Sequence, residues 1–202
     1  CVRNNILIID DEIHNDLILP GHTHTVMAAV SEAASENMLI CTAPSKTFNL
    51  AGLICSNIII PNQKLREEYK AGLMQQGHVM VGCFGYQACE LAYNKGESWL
   101  AELLQLIWLN HLELKKYLNQ HLPEVKVFDL QGTYLQWLDF NACGMNKDEL
   151  EEFLHKDALL FLDEGYIFGP EGDGYERINL ACPTKVLMDG LERLVRALRS
   201  KK

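Results

Sequence analysis

Apolar positions along this chain follow two different rhythms. Over the first half they come as short continuous runs: Ile6-Leu7-Ile8-Ile9, Met38-Leu39-Ile40-Cys41, and the stretch from Leu53 to Ile60 before Pro61-Asn62. Runs of this length, closed by polar or turn residues, predict strands covered on both faces in an α/β sheet rather than a half-exposed antiparallel one. Residues 25–36 suit a short helix between the first two strands. Helical spacing then takes over, with helices predicted over 62–76 and 86–95. A long helix is predicted from about Ser98 to His121. In it Leu100, Leu103, Leu104, Ile107, Trp108, Leu112 and Leu114 recur on one side.

The rhythm changes after Pro123. Residues 125–130 and 133–140 alternate as strands around Gln131-Gly132. Asn146 is a helix cap ahead of Asp148 and Glu149. Short strands are predicted at 159–162 and 178–182, flanking the glycine-rich stretch DEGYIFGPEGDGYER. Pro183 then opens a last helix to Ser200, a position that suits proline. The second half therefore reads as a small α+β layer. The fold class is α/β: a mixed, mostly parallel sheet in residues 1–96 and a small α+β domain in 97–202, with the boundary near 95–98.

Composition narrows the functional classes. A chain of 202 residues with 48% apolar content suits one domain or two small ones. No apolar run approaches the roughly 18 residues of a membrane span, so no membrane partner is expected. The net charge of −9 comes from dispersed acids, which argues against a nucleic-acid surface. Seven cysteines show no C-x-x-C spacing and sit among apolar neighbours. They are expected to be reduced residues of a cytoplasmic protein, with no metal bound.

Two stretches carry candidate chemistry. In IIDDEIHNDL, Asp10 and Asp11 end the first apolar run, and carboxyl ends of parallel strands are where open α/β sheets bind ligands. A solvated loop cap is the plainer reading. His14, His22 and His24 come next with acids nearby, a weak pattern for a metal site. In LICTAPSKTFNLAGL, Lys46 falls in a tight loop between two apolar runs. A lysine is costly there unless used, and its amine bonds carbonyl carbon when its pKa is lowered.

Taken together, DEIHNDLILPGHTH, TAPSKTFNLAGL, SNIIIPN, AYNKGESWL, GTYLQWLDF and RINLACP occur in an order that spans nearly the whole chain. This set resembles the fold-type I pyridoxal-phosphate enzymes, the aspartate aminotransferase superfamily, and within it the cystathionine β-lyase-like C–S lyase branch. The resemblance implies that residues 1–96 are the C-terminal part of the cofactor-binding large domain and 97–202 the small C-terminal domain. It implies pyridoxal 5′-phosphate as cofactor, with Lys46 as its covalent anchor and catalytic base. Asp11 would pair with the pyridine nitrogen, and Ser45 would hold the phosphate. His14 stands where many members have a tyrosine near the ring hydroxyl. Arg177 in ERINLACP would bind the α-carboxylate of a small amino-acid substrate. Tyr134 in GTYLQW reads as a core aromatic more than a pocket residue. Two positions depart from the common aminotransferase pattern. Ala43 replaces a serine three residues before the lysine, and Ile54 an arginine eight after it, leaving Thr42 as a candidate for the phosphate.

The resemblance implies cleavage of cystathionine or cysteine conjugates to thiol, pyruvate and ammonia. Transamination, or a non-catalytic role on the same scaffold, stays open. The upstream half of the family supplies the phosphate loop, a ring-stacking aromatic and most of the sheet, and none of these is placed before Ile6. The expected partners are therefore that missing N-terminal half and a second copy in a homodimer.

Overall fold

In the computed structural model, which describes residues 1–77 and 80–201, the chain divides into two compact units, Cys1–Ala101 and Glu102–Lys202. The first is built on strands β1 (Ile8–Asp11), β2 (Met38–Thr42) and β3 (Asn57–Ile59), in that order. β1 and β2 run parallel, with Ile8 opposite Met38 and Asp11 opposite Cys41. β2 and β3 run antiparallel. The sheet is mixed, as expected, but its two pairings are split evenly rather than mostly parallel.

Several boundaries differ from the sequence reading. The first strand starts at Ile8, not Ile6, and takes in both aspartates. Among the described residues β1 is an edge strand, and Ile9 is 71% exposed. The face that the apolar run predicted to be covered is open here. The region read as a helix over 25–36 is a 3₁₀ turn (Met27–Ala29) and one turn of helix, α1 (Glu32–Ser35), capped by the Ser31 hydroxyl. The strand predicted from Leu53 is only Asn57–Ile59, because residues 51–54 turn. Ile54 closes that turn in the left-handed region, with φ 49° and 85% exposure.

Helix α2 (Pro44–Thr47) comes directly after β2. Then come α3 (Gln63–Gln75), capped by Asn62, and α4 (Cys83–Lys95), which begins three residues earlier than predicted. Gly96 separates α4 from α5 (Glu97–His121) at a point where Phe48 packs closely.

The second unit holds an antiparallel sheet in the order β4 (Lys126–Val127), β5 (Leu135–Asp139), β7 (Tyr175–Asn179), β6 (Asp163–Glu164). The strand expected at 159–162 is absent there, and the sheet is instead entered at Asp163. The last strand is Tyr175–Asn179 rather than 178–182, so Arg177 lies inside it. Asn146 does cap α6 (Lys147–Glu152), through a reciprocal capping box with Glu149. α6 runs into a π-helical turn, Phe153–Asp157. α7 (Thr184–Lys201) starts directly after Pro183.

Packing in this unit reflects helical spacing. Leu187, Leu191, Leu194 and Leu198 line one side of α7, and Ile107, Leu114 and Leu118 one side of α5, all buried with Leu138, Phe140, Leu150 and Phe153. Two polar residues on the buried side of α5 tie it to the sheet layer. Asn110 donates to the carbonyls of Leu180 (2.9 Å) and Cys182 (2.8 Å) and accepts from the Thr184 hydroxyl (2.7 Å). His111 Nδ1 lies 2.8 Å from Gln136 Oε1. The Gln136 amide donates to the Phe128 and Trp137 carbonyls, so Oε1 is its acceptor end and the proton of the imidazole is on Nδ1.

Candidate active site

Each candidate on the first unit is placed by the parallel pair β1 and β2. Asp11 ends β1 beside Cys41, is exposed, and accepts from the Ile13 N–H (3.2 Å). Beyond Thr42 the chain leaves β2, Pro44 starts α2 at a position that suits proline, and Lys46 comes two residues later. Asp11 therefore stands at the carboxyl end of β1 and Lys46 just past that of its parallel neighbour β2, where open α/β sheets place their ligand sites. Ser45 is half-buried beside Lys46, and His14 is half-buried in the loop after β1.

Lys46 does not lie between two buried runs, as the sequence pattern suggested. It is exposed on a helical turn, and the next segment is a surface turn rather than a second buried strand. The residue that is buried is its neighbour. Thr47 is 0% exposed and donates to Asp16 Oδ2 at 3.0 Å. That bond ties the helix bearing Lys46 to the loop after Asp11. Phe48 adds a second anchor, packing edge-on to Tyr93 (5.7 Å) and against Trp99 (5.8 Å). Neither Asp16 nor Thr47 stood out in the sequence; the only trace was a polar residue on the far side of a lysine from a serine.

The three consecutive acids divide their work. Asp11 is exposed, whereas Glu12 is buried and bonded to His24 Nε2. Burial pushes the Asp10 carboxyl up, and the charge of Glu12 acts in the same direction. The carboxylate available at the strand end is thus Asp11. The histidines weighed as metal ligands are not gathered: His24 is taken up by Glu12 and His22 is exposed. Of the two departures from the aminotransferase pattern, Ala43 is buried and Ile54 is at the surface. Thr42 is half-buried, with its hydroxyl accepting from Asn57 Nδ2 at 3.4 Å.

Arg177 belongs to the second unit. Its Nε (3.0 Å) and Nη2 (2.7 Å) both donate to Asp163 Oδ2, its partner across the β6·β7 ladder. The guanidinium also lies over the Phe168 ring, 4.4 Å from its centre. It is held flat and oriented on its Nε edge, and Asp163 is the positioning partner that sequence reasoning missed. Tyr134 is half-buried. Burial pushes its hydroxyl pKa up, and the charge of Arg177 partly offsets this.

The donor set suits the cofactor that the sequence implied. An exposed primary amine, an exposed carboxylate and a hydroxyl at one sheet end meet the needs of an aldehyde-bearing pyridinium with a phosphate arm.

The family model described as aminotransferase class I and II matches residues 1–198. Cystathionine beta-lyase PatB of Bacillus subtilis is 40% identical over 198 residues, 98% of this chain and 51% of that protein. Cystathionine beta-lyase of Corynebacterium glutamicum is 35% identical over 200 residues, 95% of this chain and 50% of its own length. The structure of cystalysin from Treponema denticola, which contains a pyridoxal 5′-phosphate cofactor, superposes with a TM-score of 0.94 at 43% identity, covering 98% of this chain and 50% of cystalysin. The chain spans about half the length of the curated relatives it matches. No described helix is long and apolar enough to cross a membrane. With a family model matched along almost its whole length and lyases of this kind among its relatives, the chain belongs to the aminotransferase class I and II superfamily, in its cystathionine β-lyase and C–S lyase branch.

Proposed function

We propose that this chain supplies the lysine-bearing part of a pyridoxal-phosphate-dependent C–S β-lyase acting on cystathionine or other β-thio amino acids. The observation that carries the reading is the placement of Asp11 at the carboxyl end of β1 and of Lys46 just past that of its parallel neighbour β2. Similarity to cystathionine β-lyases and to cofactor-containing cystalysin supports it. In this reading residues 1–96 belong to the cofactor-binding large domain and 97–202 to the small domain, which the two compact units support.

Bound pyridoxal 5′-phosphate supplies an electron-withdrawing ring that takes up charge when the substrate α C–H bond breaks. Lys46 would be its covalent anchor, and the free Nζ amine would be the base that takes the α-proton. Asp11 would offer its carboxylate to the ring nitrogen, favouring the protonated ring; a hydrogen bond to a charged group is worth about 1.5–3 kcal/mol. Ser45 would donate to the phosphate, and His14 would be the group that meets the ring hydroxyl. Arg177, held along its Nε edge by Asp163, would offer its Nη1–Nη2 end to the α-carboxylate of an amino-acid substrate. The Cα–H and Cβ–S bonds break, sulfur leaves with the electron pair, and one water is consumed as thiol, pyruvate and ammonia are released. Transamination by the same residues begins with the same proton removal.

Unit 1 also bears on partners. Ile6, Leu7, Ile9 and Ile59 are exposed on or beside the edge strands, apolar surface that strands added to either side would cover. We assign that cover to a segment equivalent to the rest of the relatives' length, with a second copy completing a dimer.

The test is direct. The chain is co-expressed with the upstream half of a relative, loaded with pyridoxal phosphate, reduced with borohydride and mapped. The pyridoxyl label is expected on Lys46, and a label on another lysine overturns the assignment. Pyruvate and thiol are then assayed from cystathionine with and without a keto acid. Pyruvate release independent of the keto acid supports the lyase. Turnover only with the keto acid supports the aminotransferase.

A further inference from the structure

The second unit gathers metal-ligating groups that the reaction above does not use. Glu151 ends one turn of α6, His155 stands four residues later in the π-helical turn, and Glu164 comes from β6. One ligand atom from each lies within 4.8 Å of the others. His155 Nε2 is 3.3 Å from Glu164 Oε1, close to the ligand–ligand edge of about 3.4 Å that bonds near 2.1 Å give around a tetrahedral ion. Glu151 Oε1 is 3.9 Å from His155 Nδ1.

A fourth group makes this more than an acidic cluster. Glu176 on β7 stands directly opposite Glu164 in the β6·β7 ladder, so the two carboxylates leave the sheet on the same face. It is 2% exposed, and its Oε2 is buried with no hydrogen-bond partner among the described residues. A buried carboxylate oxygen left bare is costly. Arg177, the next residue on β7, is engaged by Asp163 on the opposite face of the same ladder.

The surroundings orient the ligands. The Tyr166 hydroxyl donates to Glu151 Oε2 at 2.9 Å, which leaves Oε1 toward His155. The Phe161 ring stacks on the His155 imidazole at 4.5 Å. Partners of this kind fix ligand geometry in metal sites. The interruption of α6 by a π-helical turn, a feature frequent at functional sites, carries His155 to this position.

We propose that Glu151, His155, Glu164 and Glu176 bind one divalent transition-metal ion, of the class that accepts imidazole together with carboxylates, such as Mn²⁺ or Zn²⁺. The ion satisfies the bare oxygen of Glu176 and bridges the π-helical turn to the β6·β7 ladder. Because Glu164 and Glu176 are each one residue away from Asp163 and Arg177, it pins from one face the two strands that hold the arginine pair on the other.

The test uses the full chain, stripped with chelator and titrated with Mn²⁺, a probe with little affinity for the seven thiols. One ion per chain is expected, with paramagnetic broadening of the His155 ring resonances ahead of those of His22 and His121. Glu164→Gln, His155→Asn and the isosteric Glu176→Gln should each weaken binding at least tenfold, while Glu171→Gln, outside the cluster, leaves it unchanged. The broadening needs no variant, so a misfolded mutant does not spare the proposal. Binding that broadens all histidines alike, or that survives Glu164→Gln and Glu176→Gln, overturns it.

Discussion

Replacing Asn110 by leucine keeps the side-chain size and removes every hydrogen bond it makes. Asn110 is 0% exposed, and its three bonds join α5 to the segment that leaves β7 and starts α7. At about 1 kcal/mol net per bond the loss is roughly 3 kcal/mol. The Leu180 carbonyl, buried among apolar groups, is left without its donor, which adds about 1–3 kcal/mol. Leucine recovers roughly 1–2 kcal/mol through apolar burial. The expected net cost is about 3 kcal/mol. With a urea slope near 2 kcal/mol per molar, the unfolding midpoint should fall by about 1.5 M at unchanged slope. Tryptophan fluorescence reports the transition, since Trp108 and Trp137 both belong to this unit. Thr184→Val removes only the 2.7 Å bond and should cost about 1 kcal/mol. In the double variant the two losses should be less than additive, because the Thr184 bond is already gone once Asn110 is leucine. A midpoint shift below about 0.5 M for Asn110→Leu would refute the role of this network as the tie between α5 and the last strand.

The same geometry sets three further outcomes. Burial holds the His111 imidazole pKa below its ordinary 6.5, with Lys115 acting the same way, so the folded protein keeps it neutral. Its contribution to stability is full above pH 6.5 and is lost as pH falls through the depressed folded value; histidine NMR titration and urea midpoints at falling pH check this, and His111→Gln should flatten the dependence. Thr47→Val leaves Asp16 without a buried donor and should cost about 1–2 kcal/mol, while lowering the rate of pyridoxyl labelling at Lys46 because the α2 turn loses its tie. Gly96→Ala would put a Cβ 2.4 Å from the Ala92 carbonyl oxygen and 2.4 Å from Phe48 Cε1, so a cost of roughly 2 kcal/mol or more is expected in thermal unfolding, with a changed Trp99 emission as Phe48 shifts.

The strand cores and long helices were legible because burial imposes period on sequence. α5 and α7 show their buried sides in the spacing of leucines, and the cap at Asn146 shows in the Asn-x-x-Glu pattern that its capping box requires. The ends of strands were not legible, for a physical reason. An apolar run marks what is compatible with a sheet, whereas a strand ends where its partner does. Thus Ile6 and Leu7 fall outside β1, and Asp10 and Asp11 fall inside it, because pairing with β2 runs from Met38 to Cys41. The predicted strand at 159–162 failed in the same way, since it is Asp163 and Glu164 that find partners on β7.

The candidate site divides along a similar line. Residue types that carry chemistry, such as Lys46, Asp11 and Arg177, can be picked out by local context and resemblance. The groups that hold them in place are chosen by three-dimensional contact and leave little local trace: Asp16 lies 31 positions from Thr47, and Asp163 lies 14 from Arg177. Alternation along β7 separates two neighbours in the same way. Arg177 faces Asp163 and the Phe168 ring, while Glu176 one residue earlier turns inward, buried opposite Leu138 and Glu164. The sequence singles out Arg177 through its resemblance and leaves Glu176, one residue earlier, unmarked. The sheet puts them on opposite faces, Arg177 held by Asp163 and the Phe168 ring, and Glu176 left with a bare oxygen opposite Glu164. A ladder only two residues long, as β6 and β7 make, is a weak support for either role. Whatever satisfies Glu176 on one face therefore also steadies Arg177 on the other.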